Sequence, residues 1–140
     1  MTRIAFIGLG NMGGGMAARQ VVGGREVHAF DLSEAAIKKV VKAGAHAAGS
    51  VAKAVENADA VITMLPAGPH VRKVYDEHIV PHAPKSALLI DCSTIDVESA
   101  RAVAKQAKDA GFRFADAPVS GGTAAANAGT LAFMVGCDEK

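Results

Sequence analysis

Three glycines and one aspartate carry the clearest chemical signal in the chain. Gly8, Gly10 and Gly13 stand at G-x-G-x-x-G spacing inside "GLGNMGGG", a stretch with five glycines in eight positions. Asp31 follows about 20 residues further on, closing the next apolar run. In such a turn the first glycine permits a tight reversal, the second lets backbone approach a pyrophosphate, and the third lets a helix pack closely on a strand. The amides and dipole of a helix starting near Met12 then favour an anionic diphosphate. Asp31 can accept hydrogen bonds from both ribose hydroxyls of NAD, and its charge opposes the extra phosphate of NADP. The residues after it, "LSEA", offer no arginine to reverse that preference. FAD proteins share the fingerprint and methyltransferases use a related glycine turn, so the turn alone leaves other nucleotides open.

Three more stretches end apolar runs with residues able to contact a ligand: "TMLP" (Thr63 to Pro66), "DCST" (Asp91 to Thr94) and "DAPVSGG" (Asp116 to Gly122). Each also has a plain structural reading, as a proline strand stop, a helix N-cap and a glycine turn. "PVSGG" falls one residue short of the G-x-S-x-G elbow of hydrolases, and the last histidine, His82, precedes Ser120, against the order that fold needs. His78 and His82 stand four apart, but Pro81 is expected to break the helix that would align them, which leaves two surface histidines and no zinc site. Cys92 and Cys137 have no C-x-x-C or Cys/His spacing and read as small buried residues in a reduced compartment.

The elements that must position these residues alternate along the chain. "RIAFIG", "EVHAFD", "DAVITMLP", "SALLIDCS" and "FRFADAPV" read as strands, and residues 12–22, 33–43, 50–57, 69–75 and 96–110 read as helices. "GTLAFMVG" reads as one further strand. Strand and helix in alternation, with nearly continuous apolar strands, predict an α/β, doubly wound, mainly parallel sheet covered on both faces, in one domain over residues 1–140. The carboxyl ends of its strands, where the four motifs fall, are where such a sheet presents a ligand.

Composition narrows the partners. The chain is 50% hydrophobic and carries a net charge of +1 from 15 basic and 14 acidic residues spread along it, which gives nucleic acid or an anionic membrane no handle. Aromatic residues make up 4% with no Trp, too few for base stacking. No apolar run approaches the roughly 20 residues of a membrane span. The strand-like run begins at Arg3, which leaves no room for a presequence and points to the cytoplasm; a mitochondrial location would require one already removed.

Taken together, "GLGNMGGGMA", Asp31, "ITMLP", "DCSTI" and "DAPVSGGTAAANAGTLAFMVG" resemble, in order and spacing, the β-hydroxyacid dehydrogenase family, and within it the 3-hydroxyisobutyrate dehydrogenases. The resemblance runs from Arg3 to Cys137. It implies a Rossmann-type fold and NAD-dependent oxidation of a short 3-hydroxy acid to its semialdehyde, as in valine breakdown. Residue by residue, it implies that the loop Gly8, Leu9, Gly10, Asn11, Met12 and Gly13 holds the diphosphate and that Asp31 holds the adenosine ribose. Leu65 and Pro66 would border the cofactor, and Thr94 would sit near the nicotinamide. Ser120, Gly121 and Gly122 would grip the substrate carboxylate through a hydroxyl and backbone amides. NADP-dependent relatives usually carry Asn-Arg-Ser/Thr where this chain has Asp31, Leu32 and Ser33.

The departures are informative. Gly15, Arg19 and Gln20 replace a proline, an asparagine and a leucine of the family pattern, and Gly15 is expected to loosen the helix start by up to about 1 kcal/mol. The family's catalytic lysine, in G-x-x-x-K-x-x-x-N on a long helix after the nucleotide domain, has a formal match at Gly49, Lys53 and Asn57. That match falls in an Ala/Lys-rich helix between the third and fourth strands and reads as a coincidence on a solvated surface. The expected lysine therefore lies beyond Lys140, and the chain reads as the first part of such an enzyme, without the all-helical domain that would carry homo-oligomer contacts. The alternative of another class is a non-catalytic dinucleotide-binding module.

Overall fold

The computed structural model describes residues 2–120 together with 132–133 and 136–137. The first strand, β1 (Arg3–Ile7), buries Ile4, Ala5, Phe6 and Ile7 consecutively, as a strand covered on both faces must. It leads into α1 (Asn11–Val22), β2 (Glu26–Phe30), α2 (Glu34–Lys42) and β3 (His46–Ala47). The second half continues with α3 (Val51–Val55), β4 (Ala60–Thr63), α4 (Gly68–Val74), a π-helical turn (Tyr75–Ile79), α5 (Val80–His82), β5 (Leu88–Asp91), α6 (Val97–Asp109) and β6 (Arg113–Asp116).

The sheet order is β3-β2-β1-β4-β5-β6, all parallel, which is the doubly wound order expected from the alternation. A seventh strand, Gly136–Cys137, pairs antiparallel with β6, and Val119–Ser120 pairs with Ala132–Phe133 in a separate ribbon. The single further strand expected from "GTLAFMVG" is thus corrected to two short ones serving different sheets.

Two apolar layers sandwich the sheet. On one face Ala5, Ile7, Val61 and Leu89 meet α3, the α4–α5 segment and α6, with Tyr75 and Ile79 fully buried among them. On the other, Phe6, Val27 and Ala29 meet Met16 and Ala17 of α1 and Val40 of α2. Alternate residues of β1 face opposite layers, so the strand contributes to both cores.

Two expectations need correction. His46 and Ala47 form a strand where none was expected, because both are exposed and show no apolar alternation. The helix expected over 69–75 continues to His82, through Pro81. The π-helical turn explains how: Val80 donates its N–H to the Tyr75 carbonyl, five residues back, and this wider turn precedes the proline that would otherwise clash with an α-helical carbonyl. His82 is exposed, as expected of a surface histidine, although the helix reaches it instead of ending before it.

Candidate functional site

The glycine turn occupies the crevice between β1 and β4, where the sheet order reverses direction. Gly8 has φ +98°, and a Cβ there would run into the carbonyl of Met64, so both its backbone angle and its surroundings demand glycine. A Cβ on Gly13 would meet the Gly8 carbonyl oxygen, which keeps α1 close on β1. Gly10, between them, faces open space. Gly14 also has a packing reason, which its sequence context did not reveal: its Cβ would stand 3.2 Å from the Leu9 carbonyl.

The N-terminus of α1 differs from those of α2 and α6, and like that of α4 it has no side-chain cap. Helices α2 and α6 are capped by Ser33 and Asp96, and each has an acid in its first turn, Glu34 and Glu98. Helix α1 has Gly10 at its N-cap, with no side-chain cap and no acid in its first turn. Its positive end is left for an external anion, in the way phosphate sites are built.

Asp31 closes the other side of the turn. Its Oδ2 accepts the Leu9 N–H at 2.7 Å and its Oδ1 accepts the Ser33 N–H at 2.8 Å. The carboxylate thereby ties the glycine loop to the end of β2 while keeping lone pairs for a ribose.

A cavity of about 750 Å³ collects Gly8, Gly10, Met12, Gly13 and Asp31, with Leu65 and Pro66 from the end of β4. Leu9 contributes its amide to Asp31, and Asn11 opens α1. The opposite wall was not foreseen: His70, Lys73, Val74 and His78 present one face of α4 and the π turn to the cavity, joined by Leu32 and Val51. Their spacing of three, four and eight is a helical stripe and was available as a signal. His78 is half-buried there rather than a plain surface residue. Leu32, 93% exposed, is a large apolar side chain on the rim of a ligand-sized cavity.

Beneath Leu65 lies a buried polar network. Thr63 donates to Asp91 Oδ1 at 2.8 Å, Tyr75 Oη lies 3.2 Å from Thr63 Oγ1, and the Ser93 N–H reaches the same Asp91 oxygen at 3.2 Å. Ser93 Oγ accepts the Leu65 N–H at 2.7 Å. Burial pushes the Asp91 carboxyl above its ordinary range, against the hydrogen bonds from Ser93 and Thr63. Burial likewise raises Asp116, and it pushes the Cys92 thiol up to about 12, so Cys92 is an inert core residue.

The remaining residues singled out in the sequence are more scattered. Thr94 is exposed in the loop after β5 and does not line the cavity. Ser120 ends a two-residue strand, and Gly121 and Gly122 lie outside the described residues. Lys53 is 73% exposed on α3 and pairs with Glu56 at 3.7 Å. No helix among the described residues is long and apolar enough to cross a membrane.

Comparison with known proteins agrees with this geometry. Residues 3–140 match the family described as the NAD binding domain of 6-phosphogluconate dehydrogenase. A 3-hydroxyisobutyrate dehydrogenase of Pseudomonas aeruginosa is 50% identical over 97% of this chain and 46% of its own length. An NAD-dependent L-serine dehydrogenase of the same organism is 49% identical over 99% of this chain and 47% of its own. The solved structure of Mycobacterium tuberculosis 3-hydroxyisobutyrate dehydrogenase with L-serine superposes with a TM-score of 0.96 at 47% identity, covering 99% of this chain and 47% of that one. The chain thus spans about half the length of the relatives it matches. An uncapped helix behind a glycine turn, an aspartate after β2 and a family match over nearly every residue lead to one conclusion: the chain belongs to the family of the NAD binding domain of 6-phosphogluconate dehydrogenase.

Proposed function

We propose that this chain is the NAD-binding part of an oxidoreductase that converts a short 3-hydroxy acid, such as 3-hydroxyisobutyrate, to its semialdehyde. The observation that carries the reading is the convergence of the Gly8–Gly13 turn and Asp31 on one cavity. Gly8, Leu9, Gly10, Asn11, Met12 and Gly13 wrap the diphosphate at the open end of α1, and Asp31 takes the adenosine ribose. Leu65 and Pro66 border the cofactor, and Thr94 stands toward the nicotinamide end. NAD, when bound, supplies the acceptor for the hydride that leaves the carbinol carbon. Ser120, Gly121 and Gly122 hold the substrate carboxylate, and the hydroxyl proton goes to a lysine outside these 140 residues.

The substrate class is supported by the names of two relatives, a 3-hydroxyisobutyrate dehydrogenase and an L-serine dehydrogenase, whose substrates share a carboxylate and a hydroxyl on the third carbon. A place in valine catabolism follows if 3-hydroxyisobutyrate is the substrate, and the compartment proposed is the cytoplasm. Homo-oligomer contacts are assigned to the part of the enzyme beyond this chain. A second reading, a binding module without catalysis, is favoured by Lys53, whose side chain is exposed, paired with Glu56 and absent from the cavity lining, although Val51 of the same helix lines it.

Fluorescence titration with NADH and NADPH, followed by turnover assays with 3-hydroxyisobutyrate and L-serine, separates these. Saturable NADH binding, weaker NADPH binding and no NADH formation by this chain alone are expected. Absence of NADH binding overturns the cofactor assignment. Turnover by the 140-residue chain overturns the placement of the base outside it. If a longer chain carrying the lysine also leaves both acids unoxidised, the binding-module reading replaces the enzyme.

A further inference from the structure

Asp91 is the one acid of the chain that is almost wholly buried, at 1% exposure among the described residues, and the binding roles assigned above do not use it. It ends β5 in the middle of the sheet, with Thr63 at the matching position of β4 and Asp116 at that of β6. Its Oδ1 receives two hydrogen bonds, from Thr63 and from the Ser93 amide, while its Oδ2 is buried with no partner. A buried carboxylate needs a cation or a full set of donors. No ion pair reaches Asp91 among the described residues, and the groups around it are Thr63, Ser93, Cys92, Tyr75 and the second acid, Asp116.

We propose that Asp91 is a positioning residue for the cofactor cleft, setting the Met64–Pro66 segment through Ser93 and the π-helical wall through Thr63 and Tyr75. Oδ1 anchors the Ser93 amide, and Ser93 Oγ in turn holds at 2.7 Å the N–H of Leu65, which lines the cavity together with Met64 and Pro66. In the other direction Tyr75 donates to Thr63, which donates to Asp91; Tyr75 begins the π turn that carries His78 into the cavity wall. One side chain thus joins the ends of β4 and β5 and the helical wall. The orphaned oxygen fits a neutral acid with its proton on Oδ2, since ionisation would leave an uncompensated charge in the core. In that state Asn is a close mimic, with its amide nitrogen replacing the protonated oxygen.

The cleft role rests on the reading that this cavity binds NAD, and the test has one arm that does not. Amide hydrogen exchange at Leu65 is measured by NMR alongside NADH titration, well below the unfolding temperature. Asp91→Ala is expected to speed Leu65 exchange and weaken NADH binding, each roughly tenfold. Asp91→Asn restores both to within about threefold of the parent chain, as a neutral acid requires. Should Asp91→Ala fail to fold, Ser93→Ala carries the same expectation at Leu65. Unchanged Leu65 exchange in Ser93→Ala or Asp91→Ala overturns the positioning role, and Asp91→Asn as damaging as Asp91→Ala overturns the neutral acid. If the parent chain binds no NADH, the cofactor reading fails while the exchange data still decide the role of Asp91.

Discussion

Asp31 follows the last residue of β2 and Asp91 is the last residue of β5, so both stand at the carboxyl ends of parallel strands, and each accepts a backbone N–H from two residues further on. From there they diverge. Asp31 is half-buried on a cavity wall with both oxygens engaged by amides, whereas Asp91 is enclosed, with one oxygen bonded twice and the other not at all. An acid whose oxygens face amides and solvent can remain charged and meet ribose hydroxyls. The same acid sealed between three strands favours its neutral form and serves to hold its neighbours. Local motif and strand position are therefore insufficient to assign a role to an aspartate; its neighbours in the sheet decide.

The turn that separates the two regions gives the largest expected effect. Gly8→Ala forces a Cβ into the Met64 carbonyl at φ +98°, between the Asp31 side and the Asp91 side, and should cost about 3 kcal/mol and abolish NADH binding. Urea denaturation with NADH fluorescence checks both. Asp31→Ala should split the readouts, lowering stability by only about 1 kcal/mol while weakening NADH binding at least roughly tenfold and narrowing the NADH over NADPH preference. Equal losses of NADH and NADPH affinity would remove Asp31 from ribose recognition. Tyr75→Phe deletes the outermost donor of the Asp91 network, leaves the Thr63 to Asp91 bond in place, and should cost about 1 kcal/mol by thermal unfolding.

Two pH effects complete the series. The Asp91 carboxyl titrates above its ordinary value of 3.8 when folded, so the native state holds a proton that the unfolded chain releases. Its contribution is fully present below that value and is lost as pH rises through the folded pKa. Asp91→Asn has no such loss, so its stability relative to the parent should improve as pH is raised from about 4, measured by urea denaturation across pH. A difference independent of pH would show Asp91 already charged in the fold. The last effect lies away from both acids. Burial, with Arg3, lowers the His28 pKa below its ordinary 6.5, so the unfolded chain takes up the proton first and stability should fall as pH drops below that value. His28→Gln should flatten that decline.

The fold was legible where its signals were local. The run into "GLGNMGGG" and the acid after "EVHAF" each announce part of their own geometry, because φ at Gly8 belongs to one residue and Asp31 bonds the Ser33 N–H two residues on. The two-residue strand at His46 had no such signal, being exposed and formed only by pairing with β2. The passage of the helix through Pro81 was equally hidden, since a π turn is a change of pitch that no residue type announces. The α4 wall lay between these extremes: its stripe was readable, but its direction depended on how the helix docks beside the glycine turn.

What the sequence determined on its own is the α/β class, the glycine turn with the acid that follows the second strand and, through motif order, the family. These are set by backbone angles and spacing along the chain. What only the tertiary structure decided is which polar residues face the cavity and which are sealed away. Strand β2 lies beside a short, exposed β3, so the acid after it stays at an open rim; β5 lies between β4 and β6, so its terminal acid is enclosed. Burial is a property of neighbours in the sheet, and strand order brings together residues far apart in the chain.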